Sequence, residues 1–301
     1  MSDKVLIFGS TGQLGTDLVS VLQNSGKFEV IPLTHQDADC ADDAAVRKAV
    51  LYLRPQFVIN SAAYVRVDDC EDHASEAFAV NAIGGLNIAR ACAEVDALSV
   101  YISTDYVFDG EKKTPYVESD PTNPINVYGT SKLAGELLVR QTAPRWLIVR
   151  VASLFGKTGA RGKGGNFVET ILAKAKKGEG LRVVDDIYIS PTYTRDAASA
   201  VTQLLENGVT GILHAANSGS CTWYEFAKTA LEFCGLPTQI APVSSLEYPT
   251  RARRPKNSAL GTETRFSLTD IQGPDWQIGL KAYLSEKGHL AAGDRHHAAL
   301  G

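Results

Sequence analysis

The chain has 301 residues, of which 44% are hydrophobic and 21% are charged, so it can bury the core of a globular protein, as one large domain or two closely joined parts. The formal net charge of −4 at pH 7 gives no broad basic field, so no nucleic-acid partner is expected. The N-terminus lacks the features of a secretory signal, and no stretch approaches the roughly 20 apolar residues that span a bilayer, so no membrane partner is expected.

Five short apolar runs in the first half of the chain predict buried β-strands. They are residues 4–10, 28–34, 57–63, 98–104 and 145–153. The segments between them are patterned as helices, one of them continuous over residues 74–95. Strands that alternate with helices through right-handed crossovers predict a doubly wound parallel sheet in an α/β domain.

The regular alternation ends near residue 155, and the chain is therefore divided into three predicted parts. Residues 1–155 form the α/β domain. Residues 156–288 form a smaller, less regular lobe that mainly binds substrate and is interleaved with the first domain. Residues 289–301 are expected to be a flexible tail.

The five cysteines are odd in number, widely scattered and without a CxxC pair. This pattern fits reduced thiols in the cytoplasm better than a disulfide framework or a zinc site. The predicted location is therefore cytoplasmic, and no metal is assigned.

The segment "GSTGQLG" places glycines at positions 9, 12 and 15 between the first predicted strand and the first helix. Gly9 and Gly12 allow a tight turn and close approach to a pyrophosphate, and Gly15 lets the helix pack close to the sheet. The free N–H groups of the helix N-terminus complete an anion site. A merely tight turn is the alternative, but the strand before and the helix after favour dinucleotide binding. The predicted cofactor contacts in this loop also include Thr11, Gln13 and Leu14.

The end of the second strand bears on the choice of dinucleotide. It has no acidic residue to hold an adenosine ribose diol, and His35 stands there instead. This favours NADPH, with NADH as the alternative, although an exposed loop residue is an equally good interpretation of His35. Asp39 could meet the adenine amine, or it could simply be solvated.

In "NVYGTSKLAGE", Tyr128 and Lys132 lie four residues apart and therefore on one face of a predicted helix. A free phenol has a pKa of about 10, and a neighbouring ammonium is expected to lower it for proton transfer. Ser103 and Thr104 end the fourth strand at the carboxyl edge of the sheet, where Thr104 could bind a substrate carbonyl. A Tyr/Lys pair alone is usually a solvated helix face, but the glycine loop and the strand end favour catalysis.

With these motifs the chain resembles the extended short-chain dehydrogenase/reductases, which have a Rossmann fold, and among them the dTDP-4-dehydrorhamnose reductase family. The resemblance covers most of residues 4 to 260 and includes "NSAAYVRVDDCE", "ISTDYVFDG" and "SPTYTRDAA". It implies NADPH-dependent reduction of the C4 ketone of a nucleotide-linked 4-keto-6-deoxyhexose, dTDP-4-dehydro-L-rhamnose to dTDP-L-rhamnose. It also implies that Thr104, Tyr128 and Lys132 are the catalytic trio, with Lys132 also holding the nicotinamide ribose.

The same resemblance implies further binding residues. It assigns Asp39 to the adenine, and Ala62, Ala63 and Tyr64 to the wall along the cofactor. Asn81 would support the active site. The substrate-binding residues it implies are Thr104, Asp105, Asn166, Arg254 and Ser258. From the residues themselves, the arginines of "RARRPK" could neutralise a diphosphate, with a solvated basic loop as the alternative.

One departure from related families bears on the reaction. Sugar-nucleotide 4,6-dehydratases carry an Asp-Glu pair after the catalytic threonine, because elimination needs both an acid and a base. This chain has Asp105 and Tyr106 there, which favours simple ketone reduction. The alternatives are a reductase or epimerase of another nucleotide keto-sugar, and a regulatory NADP-binding subunit similar to the β subunit of methionine adenosyltransferase. The sequence does not fix the oligomeric state, and a homodimer is one candidate.

Overall fold

The computed structural model describes residues 2–159, 165–236, 239–264, 268 and 273–291. Most of the predicted flexible tail, residues 292–301, therefore lies outside the described residues. Within them, no helix is long and apolar enough to cross a membrane.

The strands are β1 (Asp3–Phe8), β2 (Phe28–Leu33), β3 (Phe57–Asn60), β4 (Leu98–Thr104), β5 (Trp146–Val151), β6 (Leu154–Phe155), β7 (Leu181–Val184), β8 (Tyr188–Ile189), β9 (Thr192–Tyr193), β10 (Gly211–His214), β11 (Cys221–Thr222) and β12 (Ile240–Val243). The helices are α1 (Gln13–Asn24), α2 (Asp43–Leu53), α3 (Val67–Asp72), α4 (Ala74–Phe78), α5 (Gly84–Val95), α6 (Val127–Thr142), α7 (Phe167–Lys176), α8 (Thr194–Glu206), α9 (Trp223–Phe233) and α10 (Trp276–Glu286). A π-helical turn, Ala79–Ile83, joins α4 to α5, and 3-10 turns lie at Asp105–Val107 and Ser245–Glu247.

Six parallel strands form the central sheet in the order β10-β5-β4-β3-β1-β2. The predicted doubly wound α/β fold is confirmed, and the first five sheet strands match the five predicted apolar runs. Every residue of β4 is buried, as expected for a strand covered on both faces. The strand order reverses at β1 and β3, so the fold leaves a crevice at the carboxyl ends of these two strands.

Helices cover both faces of this sheet. On one face, α1 and α8 pack together, with Leu18 of α1 and Val201 of α8 fully buried in the core between them and the strands. On the other face lie α2, α5 and α6. Helix α8 and strand β10 follow residue 155 in the chain, so the sheet takes its edge strand from the predicted second part.

A smaller lobe is built from elements that follow β5 in the chain. Helices α7, α9 and α10 pack around short strand pairs, β7 with β12 and β8 with β11. An aromatic cluster holds this lobe together, with the rings of Phe155 and Phe226 5.3 Å apart and those of Phe155 and Tyr283 5.5 Å apart. Because Phe155 follows directly after the sheet region, this cluster fixes the lobe beside the carboxyl edge of the sheet.

Candidate active site

The glycine loop after β1 is built for close backbone contacts. Gly9 has a φ of +73°, and a Cβ atom there would lie 2.5 Å from the Ala62 nitrogen. The Gly12 N–H donates to the Gly9 carbonyl at 2.9 Å, which closes the turn. Helix α1 then begins at Gln13 without a side-chain cap and without an acidic residue in its first turn. Its first N–H groups are therefore left for an anion, and this loop fits the pyrophosphate of a dinucleotide.

Gly15 lies under this loop and leads to a first prediction. A Cβ atom at this position would lie 2.1 Å from the Gly9 carbonyl oxygen, a backbone atom that cannot rotate away. We expect Gly15→Ala to lower the free energy of unfolding by about 1 to 3 kcal/mol and to weaken NADPH binding at least about tenfold. Thermal unfolding and NADPH fluorescence titration measure both effects. Gly180→Ala is the matched control because no atom lies within 4 Å of its added methyl group, and equal behaviour of the two variants would contradict the prediction.

One continuous cavity of about 730 Å³ opens at the carboxyl ends of β1, β3 and β4 and extends to the lobe. Fifteen of the predicted site residues line it: Gly9, Thr11, Gly12, Gln13, Leu14, His35, Asp39, Ala62, Ala63, Tyr64, Thr104, Asp105, Tyr128, Lys132 and Asn166. Four predicted residues do not: Gly15, Asn81, Arg254 and Ser258. The fold thus brings the glycine loop and the Thr/Tyr/Lys group to one cavity.

At the end of β2, the His35 and Asp39 side chains face each other at the cavity mouth. The His35 Nδ1 and Asp39 Oδ1 atoms are 3.6 Å apart, and the His35 side chain is 81% exposed. The Asp39 carboxylate also accepts from the Ala41 N–H at 3.0 Å. A half-buried, histidine-paired aspartate differs from the acid that holds a ribose diol directly after the strand, and this arrangement fits NADP.

Asn81 lies behind the cavity wall instead of in it. Its side chain accepts from the Tyr64 N–H at 2.8 Å and donates to the Tyr64 carbonyl at 3.2 Å and to the Ser131 hydroxyl at 2.9 Å. It sits on the π-helical turn Ala79–Ile83, which interrupts the helix predicted as continuous over 74–95. Such turns re-aim one residue of a helix, here toward the Tyr64 wall and toward α6.

Helix α6 positions the Tyr/Lys pair. Asn126 caps it by accepting from the Gly129 N–H at 2.8 Å, so the first turn contains Tyr128. The half-buried Tyr128 contacts the Thr104 hydroxyl, and the Tyr106 ring lies edge-on at 5.9 Å. The Lys132 Nζ donates to the Ile102 carbonyl at 2.6 Å and lies 4.1 Å from the Tyr101 ring centroid. A hydroxyl, a phenol and an amine therefore meet at the edge of β4.

In the protein alone the net pKa of Tyr128 is raised, and not lowered as the neighbouring Lys132 ammonium led us to expect. Loss of solvent raises the pKa of Tyr128 above its usual range, the Thr104 contact lowers it, and the nearby Asp105 carboxylate raises it. Burial also lowers the pKa of Lys132 to about 7, against the opposing effect of the Glu136 carboxylate. The Lys132 ammonium is directed at the Ile102 carbonyl, and desolvation dominates both groups. Tyr128 therefore holds its proton and is set up as a donor.

Asp105 follows Thr104 and is buried beside it. Its Oδ1 accepts from the Thr104 hydroxyl at 2.9 Å, and the Ser258 hydroxyl also contacts the carboxylate. Burial raises the pKa of Asp105 to about 6, while the Ser258 and Thr104 contacts lower it. Ser258 therefore reaches the site through Asp105, although it does not line the cavity.

The basic loop is held by acidic residues of α3. The Arg254 Nη2 lies 2.7 Å from an Asp68 oxygen, and the other oxygen of Asp68 accepts from the Ala252 N–H at 3.0 Å. Arg251 forms an ion pair with Asp72. These two arginines are thus already paired with carboxylates, which reduces the charge they offer to a diphosphate.

Asn166 lines the cavity, but its polar atoms are engaged. Its side chain caps α7 by accepting from the Glu169 N–H at 3.0 Å. Its amide donates to the Gly156 carbonyl and to the Tyr283 hydroxyl, each at 3.0 Å. Asn166 is therefore fixed by the lobe, with its amide unavailable for a ligand in this arrangement.

Sequence reasoning missed the lobe wall of the cavity. The Phe167 and Trp223 rings are 4.7 Å apart, and both line the cavity. Ser153, after β5, also lines it and has a φ of +41°, which is unusual for a residue other than glycine. No local pattern marked these residues, because their position depends on how the lobe packs on the sheet.

The doubly wound sheet, the pyrophosphate-sized loop and the Thr104, Tyr128 and Lys132 group define an NAD(P)-dependent oxidoreductase of the extended short-chain dehydrogenase/reductase class. Among the described residues, no group of three or more His, Cys, Asp or Glu side chains could hold a metal ion. Residues 3–288 match the family model described as the RmlD substrate binding domain, and the chain belongs to that family.

The chain is similar to named proteins over almost its whole length. It is 41% identical over 284 residues to the spore coat polysaccharide biosynthesis protein SpsK of Bacillus subtilis, which covers 94% of this chain and 98% of that protein. It is 38% identical over 303 residues to dTDP-4-dehydrorhamnose reductase of Mycobacterium tuberculosis, covering 98% and 96% of the two chains. The crystal structure of dTDP-4-dehydrorhamnose reductase from Bacillus anthracis in complex with NADP is 37% identical, covers 95% and 100%, and has a TM-score of 0.89.

Proposed function

We propose that the protein is an NADPH-dependent reductase that converts dTDP-4-dehydro-L-rhamnose to dTDP-L-rhamnose, by reduction of the C4 ketone. The observation that carries this proposal is the meeting of Thr104, Tyr128 and Lys132 in one cavity with the glycine loop. The substrate is supported by the relatives that are named dTDP-4-dehydrorhamnose reductase and match over more than nine tenths of both chains.

The side chains have separate roles in this reaction. Bound NADPH supplies the hydride that forms the new C4–H bond. The Thr104 hydroxyl, which donates to Asp105 in the protein alone, turns to donate its hydrogen bond to the ketone oxygen, where negative charge develops. The Tyr128 hydroxyl then gives its proton to this oxygen, which becomes the product hydroxyl. Lys132 provides positive charge beside the site and stabilises the phenolate that Tyr128 leaves.

The residues around the trio favour reduction over elimination. Elimination of water needs a base for the C–H bond next to the ketone as well as an acid for the leaving hydroxyl. Tyr106 follows Asp105 here, and burial keeps its phenol protonated because it raises the pKa above the usual range. Tyr106 therefore cannot serve as that base near neutral pH.

The proposal also includes the cellular location, the partner and the oligomeric state of the protein. All five cysteines are free thiols, as expected for a protein kept in the reducing cytoplasm. The partner that we propose is the nucleotide sugar. By the family resemblance we further propose a homodimer, which light scattering of the purified protein tests.

The test of the proposed function is NADPH oxidation with enzymatically prepared dTDP-4-dehydro-L-rhamnose, with NADH in parallel and with product analysis by NMR. We expect turnover with NADPH, slower turnover with NADH, and a product with the rhamno configuration. Tight NADPH binding without turnover would instead favour another nucleotide keto-sugar or a regulatory subunit. A changed configuration without net NADPH oxidation would indicate an epimerase.

A further inference from the structure

A third polar side chain continues the Tyr128 and Lys132 face of α6 into the protein. Glu136 lies one turn after Lys132, and each of the two side chains is only 1% exposed. A charged carboxylate at this depth is unfavourable unless other groups fix and compensate it. The surroundings of Glu136 therefore indicate what it does.

Two strands hold the Glu136 carboxylate. The Ser103 hydroxyl of β4 donates to Oε1 at 2.5 Å. The Arg150 guanidinium of β5 donates from Nε to Oε1 at 2.9 Å and from Nη2 to Oε2 at 2.8 Å. Such two-point contacts between arginine and a carboxylate are strong and directional, so the direction of the Glu136 carboxylate is fixed. Ser103 directly precedes Thr104, so the same contact also fixes the end of β4.

The other titratable groups next to Lys132 carry no negative charge that would stabilise its ammonium. Its Nζ reaches the Ile102 carbonyl, and its neighbours are the Tyr101 ring below it, Tyr128 on its own helix and Cys40 from the loop after β2. Burial raises the pKa of the Cys40 thiol to about 11 and that of both phenols above the usual range, so these groups are neutral near pH 7. Asp105 lies at the far end of the trio, where its carboxylate acts on Tyr128.

We propose that Glu136 is a positioning residue of the catalytic trio: fixed by Ser103 and Arg150, its carboxylate favours the protonated form of Lys132 and holds Thr104 in register with Tyr128. The role of Lys132 in this statement rests on the proposed function. Glu136 and Lys132 do not form a direct ion pair, but charges act over longer distances in a buried, weakly polar environment than in water. Burial favours the neutral amine of Lys132, whereas the Glu136 carboxylate favours the charged ammonium.

The test measures the titration of Lys132 directly. Lysine labelled with ¹³C at Cε reports the pKa by NMR, and loss of one signal in Lys132→Met identifies Lys132. The variant is Glu136→Gln combined with Arg150→Gln, because removing both charges leaves no unpaired buried ion. The matched control is Ser103→Ala, which removes one hydrogen bond from Glu136 but keeps its charge.

In the double variant we expect the pKa of Lys132 to fall by about one unit, while Ser103→Ala leaves it nearly unchanged. The apparent pKa of the high-pH limb of the kcat/KM profile should fall by the same amount. An unchanged Lys132 titration in the double variant, or an equal fall in Ser103→Ala, would overturn the proposal. If the double variant does not fold, Glu136→Gln alone is titrated, and the fall in the Lys132 pKa should then be at least as large, because the Arg150 charge remains. The NMR titration needs no turnover, so it stays decisive even if the wild-type protein fails to reduce the sugar nucleotide.

Discussion

Tyr128→Phe is expected to lower kcat for the ketone reduction by a factor of about 10² to 10⁴, because it removes the proton donor and leaves the ring in place. Burial keeps the Tyr128 proton on the phenol, so it is available when the ketone oxygen gains charge. The other hydroxyl of the trio, that of Thr104, cannot replace it, since an alcohol is a much weaker acid than a phenol. Stopped-flow or steady-state NADPH oxidation measures the loss.

The same substitution should leave binding and folding nearly unchanged. We expect the NADPH dissociation constant to stay within about threefold of the wild-type value, which corresponds to less than 1 kcal/mol. Tyr52→Phe is the matched control, because the Tyr52 side chain is 86% exposed and far from any proposed role. Full turnover by Tyr128→Phe would remove Tyr128 as the proton donor and with it the mechanism proposed here.

The features that the sequence predicted correctly depend on local patterns. The apolar run of β4 predicts a strand because each of its seven residues is buried. The spacing of Tyr128 and Lys132 places both on one helix face, and the glycines of the first loop are required by backbone contacts such as that of Gly9 with Ala62. These properties need no knowledge of the distant chain.

The features that the sequence did not predict depend on distant contacts or on desolvation. Arg254 pairs with Asp68, which lies 186 residues earlier in the chain, and no spacing rule indicates such a partner. Asn166 uses its amide on Gly156 and Tyr283, because the lobe folds around it. The raised pKa of Tyr128 follows from burial, whose extent is set by the whole cavity wall.

At Lys132 the expected effects on activity and on stability have opposite signs. Burial lowers its pKa from the ordinary 10.5 to about 7, so the folded protein binds fewer protons than the unfolded chain between these values. The wild-type free energy of unfolding should therefore rise with pH from about 7 to about 10.5, and below pH 7 the buried charge should destabilise the fold by a constant amount. A charge kept in this position at the expense of stability indicates that the reaction uses it.

Lys132→Met removes the charge and keeps a similar shape. We expect it to lower kcat by a factor of about 10² or more, and yet to raise the free energy of unfolding by about 1 to 3 kcal/mol at pH 6. Loss of the hydrogen bond to the Ile102 carbonyl offsets part of the gain. The gain should shrink as the pH rises from about 7 toward 10.5, because the unfolded chain then also loses the lysine proton and folding no longer has to remove it.

Urea unfolding at pH 6, 7, 8 and 9.5 measures this dependence, alongside the NADPH oxidation assay. Lys48→Met on the exposed face of α2 is the matched control and should show neither the gain nor its pH dependence. If Lys132→Met is less stable than the wild type at pH 6, the ammonium is stabilised by its contacts more than burial disfavours it. If it is more stable but fully active, Lys132 carries a buried charge that the reaction does not need.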